Sequence, residues 1–217
     1  MKNIIVFAAH SDDEGIGIGG TLLKYSKEYD IIKVIFSAGE KTLVVGSHLH
    51  ESYIINERIK ETERISRKMG VKENIYLHLI DGKLQKFKND EGVLNQVENI
   101  ILKYKPEKIF TLTSIDPHPD HRAVNEITLN ALESSDHRCE LYCYEVWNMV
   151  NLKEPIVYED ISDLMGKKVK LMREFKSQWI YVYLLLIPTY LRALKNGRKI
   201  NKKYAERFFK LQWNIYS

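Results

Sequence analysis

The chain has 217 residues, 44% of them hydrophobic, and its 33 basic and 29 acidic side chains leave a formal charge of +4. That length and apolar fraction suit one sizeable core and a single domain over residues 1–217; well-mixed charges argue against disorder, and so mild a balance does not call for nucleic acid. The N-terminus turns polar at His10, too soon for a secretory signal. Cys139 and Cys143, about 13 Å apart if their run is a strand, are too distant for a disulfide, so free thiols and a cytoplasmic location are expected.

Asn3 to Ala9 is a continuous apolar run, as in a strand covered on both faces of a parallel sheet. Thr21 to Tyr29 reads as a helix and Ile31 to Phe36 as a second buried strand. Helical spacing returns from Glu51 to Met69 and stops at Gly70, a good C-terminal cap. Asn74 to Ile80 predicts a third strand, Val93 to Tyr104 a helix, and Lys108 to Leu112 a fourth strand with a helix from near His121. Leu141 to Trp147 predicts a fifth strand. From about Asp160 the chain reads as helical and basic, with eight Lys or Arg and one Glu between Leu191 and Lys210. Strands alternating with helices predict an α/β fold: a Rossmann-like, mostly parallel sheet flanked by helices, with a helical basic C-terminal segment.

Two clusters of acidic and histidine side chains follow the first and fourth strands: His10-Ser11-Asp12-Asp13-Glu14 and Asp116-Pro117-His118-Pro119-Asp120-His121. In a doubly wound sheet ordered 3-2-1-4-5 these strands are neighbours, and their carboxyl ends open into the crevice where such folds bind ligands. Histidines and carboxylates converging on one point suit a zinc ion with three protein ligands and an open position for water. His10, Asp13 and His121 would supply two nitrogens and one oxygen, donors that also accept iron, cobalt or manganese. Zinc would bring the pKa of its water to about 7, and Asp12 beside it would take the proton. His118 would polarise the amide carbonyl and protonate the leaving amine, with Asp120 holding its tautomer. Either cluster alone could be ordinary caps and loop residues. Two of them at adjacent strand ends make that reading hard to sustain.

The clusters resemble the signatures of the PIG-L/LmbE-like family of zinc-dependent N-deacetylases, Ala-His-Pro-Asp-Asp-Glu and His-Pro-Asp-His. They read here Ala9-His10-Ser11-Asp12-Asp13-Glu14 and His118-Pro119-Asp120-His121. Ser37 to Glu40, the helix carrying Arg58 and Glu61, Tyr144 to Trp147 and Ala205 to Phe208 are similar to further family segments. The resemblance implies His10, Asp13 and His121 as ligands, Asp12 as base and His118 as the electrophilic or acid histidine, and it decides which aspartate does what. It also implies that Arg58 and Asp81 face a substrate sugar, and that the substrate is a small N-acetylglucosamine-type conjugate losing its acetyl group. Ser11 stands where the family has proline, whose part would be to stiffen the turn. Glu14 is expected to bond backbone at the helix start.

Three further signals compete or remain. Gly15 to Gly20 fits Gly-x-Gly-x-x-Gly, the fingerprint of a dinucleotide-binding oxidoreductase. Three carboxylates immediately before it would repel a pyrophosphate, so the glycines are expected to let a helix pack tightly below the metal site. A metal-binding protein without catalysis is the third reading, disfavoured because all five catalytic and ligand positions hold competent residues. Ile180 to Leu194, about 15 residues, is too short to span a bilayer. It reads as a buried helix or a homo-oligomer contact, and with its basic sequel, over 180–210, as a peripheral membrane contact. His48 and His50 are candidate substrate contacts, whereas His78 and His137 read as structural.

Overall fold

The computed structural model describes residues 1–38, 51–147 and 149–212. Five strands and their crossover helices follow one another as β1 (Lys2–Ala8), α1 (Asp13–Tyr25), β2 (Tyr29–Ile35), α2 (Glu51–Met69), β3 (Val71–Tyr76), α3 (Glu91–Tyr104), β4 (Lys108–Leu112), α4 (Pro119–Ser134) and β5 (Glu140–Tyr144). The chain then adds β6 (Ile156–Asp160), α5 (Met165–Met172), α6 (Trp179–Lys199) and β7 (Ala205–Leu211). The sheet runs β3-β2-β1-β4-β5-β7-β6. β1 lies parallel between β2 and β4, so Ile4, Ile5, Val6 and Phe7 are wholly buried, which explains the unbroken apolar run. The expected order of the first five strands holds, and both chemistry-bearing turns leave the same edge of the sheet.

Three expectations need correction. α1 begins at Asp13 rather than Thr21, and β3 ends at Tyr76 rather than Ile80, because His78 adopts a left-handed φ of 54° just beyond it. The C-terminal segment is not helical throughout. α5 and α6 are followed by β7, which pairs antiparallel with β5 on one side and β6 on the other. An interior strand is covered on both faces, so Phe208 and Phe209 are both buried, with Phe208 set edge-on against Phe110 and Tyr142. Both cysteines are free thiols, Cys143 buried and Cys139 half-buried.

The glycine-rich run sits inside α1, not in a loop ahead of it, which removes the dinucleotide geometry. A Cβ on Gly17 would stand 2.5 Å from the Tyr144 ring, and one on Gly20 would stand 2.8 Å from Ile161, so these glycines are contact points for β5 and the turn after β6. Ile18 departs from helical geometry (φ −132°, ψ 16°) and kinks α1 there. A kink frees backbone groups that must find other partners. Glu206 of β7 accepts from the Gly20 and Thr21 amides at 2.9 and 2.7 Å, and Lys168 of α5 donates to the Ile16 carbonyl at 2.7 Å. Lys168 and Glu206 also pair with each other at 2.6 Å, buried, so the kink is braced by a complete charge network. The first turn of α1, which carries Asp13 and Glu14, is thereby aimed independently of the rest of the helix.

Candidate active site and metal centre

β1 delivers His10, Ser11 and Asp12 into the turn before α1, and Asp13 opens the helix. β4 delivers the second cluster in the same way: His118 caps α4, Pro119 occupies its first turn, and Asp120 and His121 follow. Ligand-capable atoms of His10, Asp13 and His121 all lie within 4.8 Å of one another. His121 Nε2 stands 3.2 Å from Asp13 Oδ1, and His121 Nδ1 stands 3.0 Å from Asp116 Oδ1. His10 Nδ1 is 3.7 Å from Asp13 Oδ2, while its Nε2 is 3.1 Å from Asp81 Oδ1 and 3.4 Å from Asp120 Oδ2. Each imidazole thus turns one nitrogen toward Asp13 and has the other held by a carboxylate, the outer-sphere pattern that orients metal-ligating histidines.

A second trio, His10, His118 and Asp120, meets the same proximity. Its carboxylate is already engaged, since Asp120 accepts from the Gly82 amide at 2.7 Å and the Leu84 amide at 3.0 Å. Among the described residues Asp13 accepts backbone donation on Oδ2, from the His10 amide at 2.8 Å, and presents Oδ1 to His121. The His10, Asp13 and His121 trio is the better donor set.

The charges agree with that choice. Although burial opposes it, Asp13 and Asp116 raise His121 to a pKa of about 9, and Asp120 and Asp81 likewise raise His10 well above its ordinary value. Against its own burial, Asp13 is held below the usual carboxylate range by His121 and His10. A cluster that collects protons on two buried histidines around one carboxylate is electrostatically ready to exchange them for a divalent cation. The residues present therefore fit a metal.

Asp12 is 6% exposed and occupies the N-cap position of α1 without its side chain capping the helix. Burial, and then the charge of Asp13, push its carboxyl up to about 6. His118 Nδ1 accepts from the Asp120 amide at 3.2 Å, which leaves the proton of the neutral ring on Nε2. Burial and the neighbouring His121 and His10 hold it below the ordinary histidine value. Asp120 thus holds the His118 tautomer by a hydrogen bond, but from its backbone amide, while its side chain serves the 82–84 turn and His10.

Glu14 does more than the expected backbone contact at the helix start: it pairs, fully buried, with Lys33 of β2, whose ammonium also donates to the Ser11 carbonyl at 2.8 Å. Asp81 is buried against His10, beside the metal trio. Arg58 is 1% exposed, so it is no solvated face of α2. Gly39, Glu40, His48 and His50 lie outside the described residues. Sequence reading assigned nothing to Asp116 or Lys33, although a lone lysine inside the apolar strand Ile31-Ile32-Lys33-Val34-Ile35 already required a buried acidic partner.

Residues 5–132, more than half the chain, match the family model described as PIG-L, GlcNAc-PI de-N-acetylase. The chain belongs to the PIG-L family. This PIG-L chain is 24% identical over 222 residues to diacetylchitobiose deacetylase of Thermococcus kodakarensis, covering 95% of this chain and 82% of that protein. Among solved structures it superposes on the N,N'-diacetylchitobiose deacetylase of Pyrococcus horikoshii with a TM-score of 0.86 at 25% identity, over 100% of this chain and 86% of the other. It also superposes on the 4-carboxy-2-hydroxymuconate hydratase of Pseudomonas putida, with a TM-score of 0.81 at 18% identity, over 100% and 99%. A fold that houses both a deacetylase and a hydratase leaves the reaction to be argued from the site.

Proposed function

We propose that this PIG-L protein is a zinc-dependent hydrolase that removes the acetyl group from the nitrogen of a small amino-sugar conjugate. The observation that carries the reading is the convergence of His10, Asp13 and His121 beside a buried, non-capping Asp12. The deacetylase relatives support an N-acetylated sugar as the substrate class.

His10, Asp13 and His121 would hold the metal, which when bound would supply Lewis acidity for the water and the amide carbonyl. Asp12 takes the proton of the attacking water; a carboxyl poised near 6 is a competent base at neutral pH. His118, neutral with its one proton on Nε2, donates a hydrogen bond to the carbonyl oxygen as negative charge develops there, and the proton that Asp12 has taken passes to the departing amine. Asp116, Asp81 and Asp120 keep the two ligand imidazoles in register. Arg58 and Asp81 are proposed to border the sugar, with Asp81 shared between sugar and His10.

Acetate release is measured on a panel of N-acetylglucosamine conjugates, with zinc-loaded and chelator-stripped protein in parallel. Zinc-dependent release on any member is expected. Asp12→Ala should keep its zinc yet lose about 10²-fold or more in turnover. Zinc bound with no release across the panel would refute an acetylated amino sugar as substrate.

A further inference from the structure

Apolar side chains on α6 divide into two faces. Val182 and Leu185 turn inward and are buried, whereas Trp179, Tyr183, Leu184, Ile187 and Leu191 stand 58%, 53%, 66%, 70% and 57% exposed. At 100° per residue these five fall within an arc of about 140°, a single stripe roughly 18 Å long. A contiguous stripe of this kind on a protein surface marks a contact with something apolar. None of the described helices is long and apolar enough to cross a membrane.

Charge identifies the partner. From Phe175 to Lys203 the sequence contains no acidic residue and seven Lys or Arg. Lys176 before the stripe and Lys195, Arg198 and Lys199 beyond it are all exposed, while Arg192 is spent internally, donating to the Val146 carbonyl at 3.0 Å. Two copies meeting through this stripe would set lysine against lysine, with no acid within residues 175–203 to relieve it. The convex face of a helix, with aromatic and long aliphatic tips and a basic rim, suits an anionic lipid headgroup layer.

We propose that α6 is a peripheral docking surface for anionic membranes, with Trp179, Tyr183, Leu184, Ile187 and Leu191 entering the interface and Lys195, Arg198 and Lys199 engaging the headgroups. The helix is also rigidly tied to the catalytic face. Arg192 reaches the Ile16 carbonyl at 3.5 Å, and Phe175, just before α6, lies 3.2 Å from where a Cβ on Gly15 would stand. A membrane bound by α6 would therefore hold the first turn of α1 in a fixed relation to its surface. Docking is independent of the deacetylase reading, because it requires neither metal nor turnover.

The test is flotation of the full chain with vesicles of phosphatidylcholine carrying about one part in four phosphatidylglycerol, against pure phosphatidylcholine, at low and high salt. Binding is expected to the anionic vesicles at low salt and to be lost at high salt. It should fall about tenfold or more in Leu184→Glu/Ile187→Glu and in Lys195→Glu/Lys199→Glu. All four positions are exposed, and unchanged thermal unfolding of the variants secures the comparison. No flotation of the wild-type chain at low salt would overturn the proposal, as would equal flotation of the Leu184→Glu/Ile187→Glu variant. A wild-type oligomer in light scattering that this variant reduces to monomer would overturn it too, making the stripe a contact between copies.

Discussion

Lys33 shows how a single side chain can hold the turn that carries the candidate base and ligand. It sits in the middle of β2 with no exposure, donates to the Ser11 carbonyl at 2.8 Å and pairs with Glu14, so it spans the turn that carries Asp12 and Asp13. Proline at position 11 would stiffen that turn through its ring; here an ammonium beneath the turn fixes the carbonyl instead. Burial pushes the Glu14 carboxyl up to about 7 even with Lys33 beside it, so loss of the lysine leaves an unpaired buried acid. Lys33→Met is therefore expected to lose stability, and to lose zinc affinity by about 10- to 100-fold, as when outer-sphere support is removed. Glu14→Gln/Lys33→Met removes both charges and should recover much of the stability. Zinc titration against a competing chelator then separates the effects: a stable double variant binding zinc as tightly as wild type would make the strut merely structural. The candidate metal trio was legible in the sequence because its histidines and carboxylates come in two dense clusters at the ends of neighbouring strands. The sequence hid the real partner of Asp120, whose carboxylate is turned by the Gly82 and Leu84 amides, a contact between the first turn of α4 and the 82–84 turn that adjacency to His118 does not reveal.

At the scale of elements, the decisive feature is the broken α1. The kink at Ile18 leaves the Ile16 carbonyl and the Gly20 and Thr21 amides to Lys168 and Glu206, so β7 and α5 support the helix that begins with Asp13. Glu206→Ala would strand Lys168 and the two amides in the core, at a cost of about 3–5 kcal/mol. Urea unfolding should show that loss as a lower midpoint with an unchanged slope. A cost below about 1 kcal/mol would mean that water or relaxation replaces the bracing network. The sequence hid this arrangement for two reasons. The first eight residues of α1, Asp13 to Gly20, fell outside the predicted helix, and β7 was read as helix, its buried positions Ala205, Glu206, Phe208, Phe209 and Leu211 mimicking helical spacing. They do so because β7 is interior and filled on both faces, so the strict alternation of a half-buried strand is absent. The parallel strands were legible by contrast, since β1, β2 and β4 are short apolar runs bounded by polar turns.

The whole molecule brings its candidate metal ligands together from two separate βα units. His10 and Asp13 belong to the β1–α1 unit and His121 to the β4–α4 unit, joined only because β1 and β4 are sheet neighbours. A metal bound by this set clamps the two units to each other, and it binds the folded chain alone, because unfolding disperses the trio. Binding must then raise folding stability, by about 2.7 kcal/mol when free metal is a hundredfold above its dissociation constant. In a domain of this length that corresponds to a fall of about 5–10 °C in the unfolding midpoint when the metal is stripped. His121→Ala should melt at one temperature with or without chelator, having lost the clamp from one unit. Asp12→Ala should keep the wild-type shift, because a base that is not a ligand contributes nothing to the clamp. An Asp12→Ala protein insensitive to chelator, beside an Asp13→Ala protein that still responds, would exchange the roles of the two aspartates and make Asp13 the base.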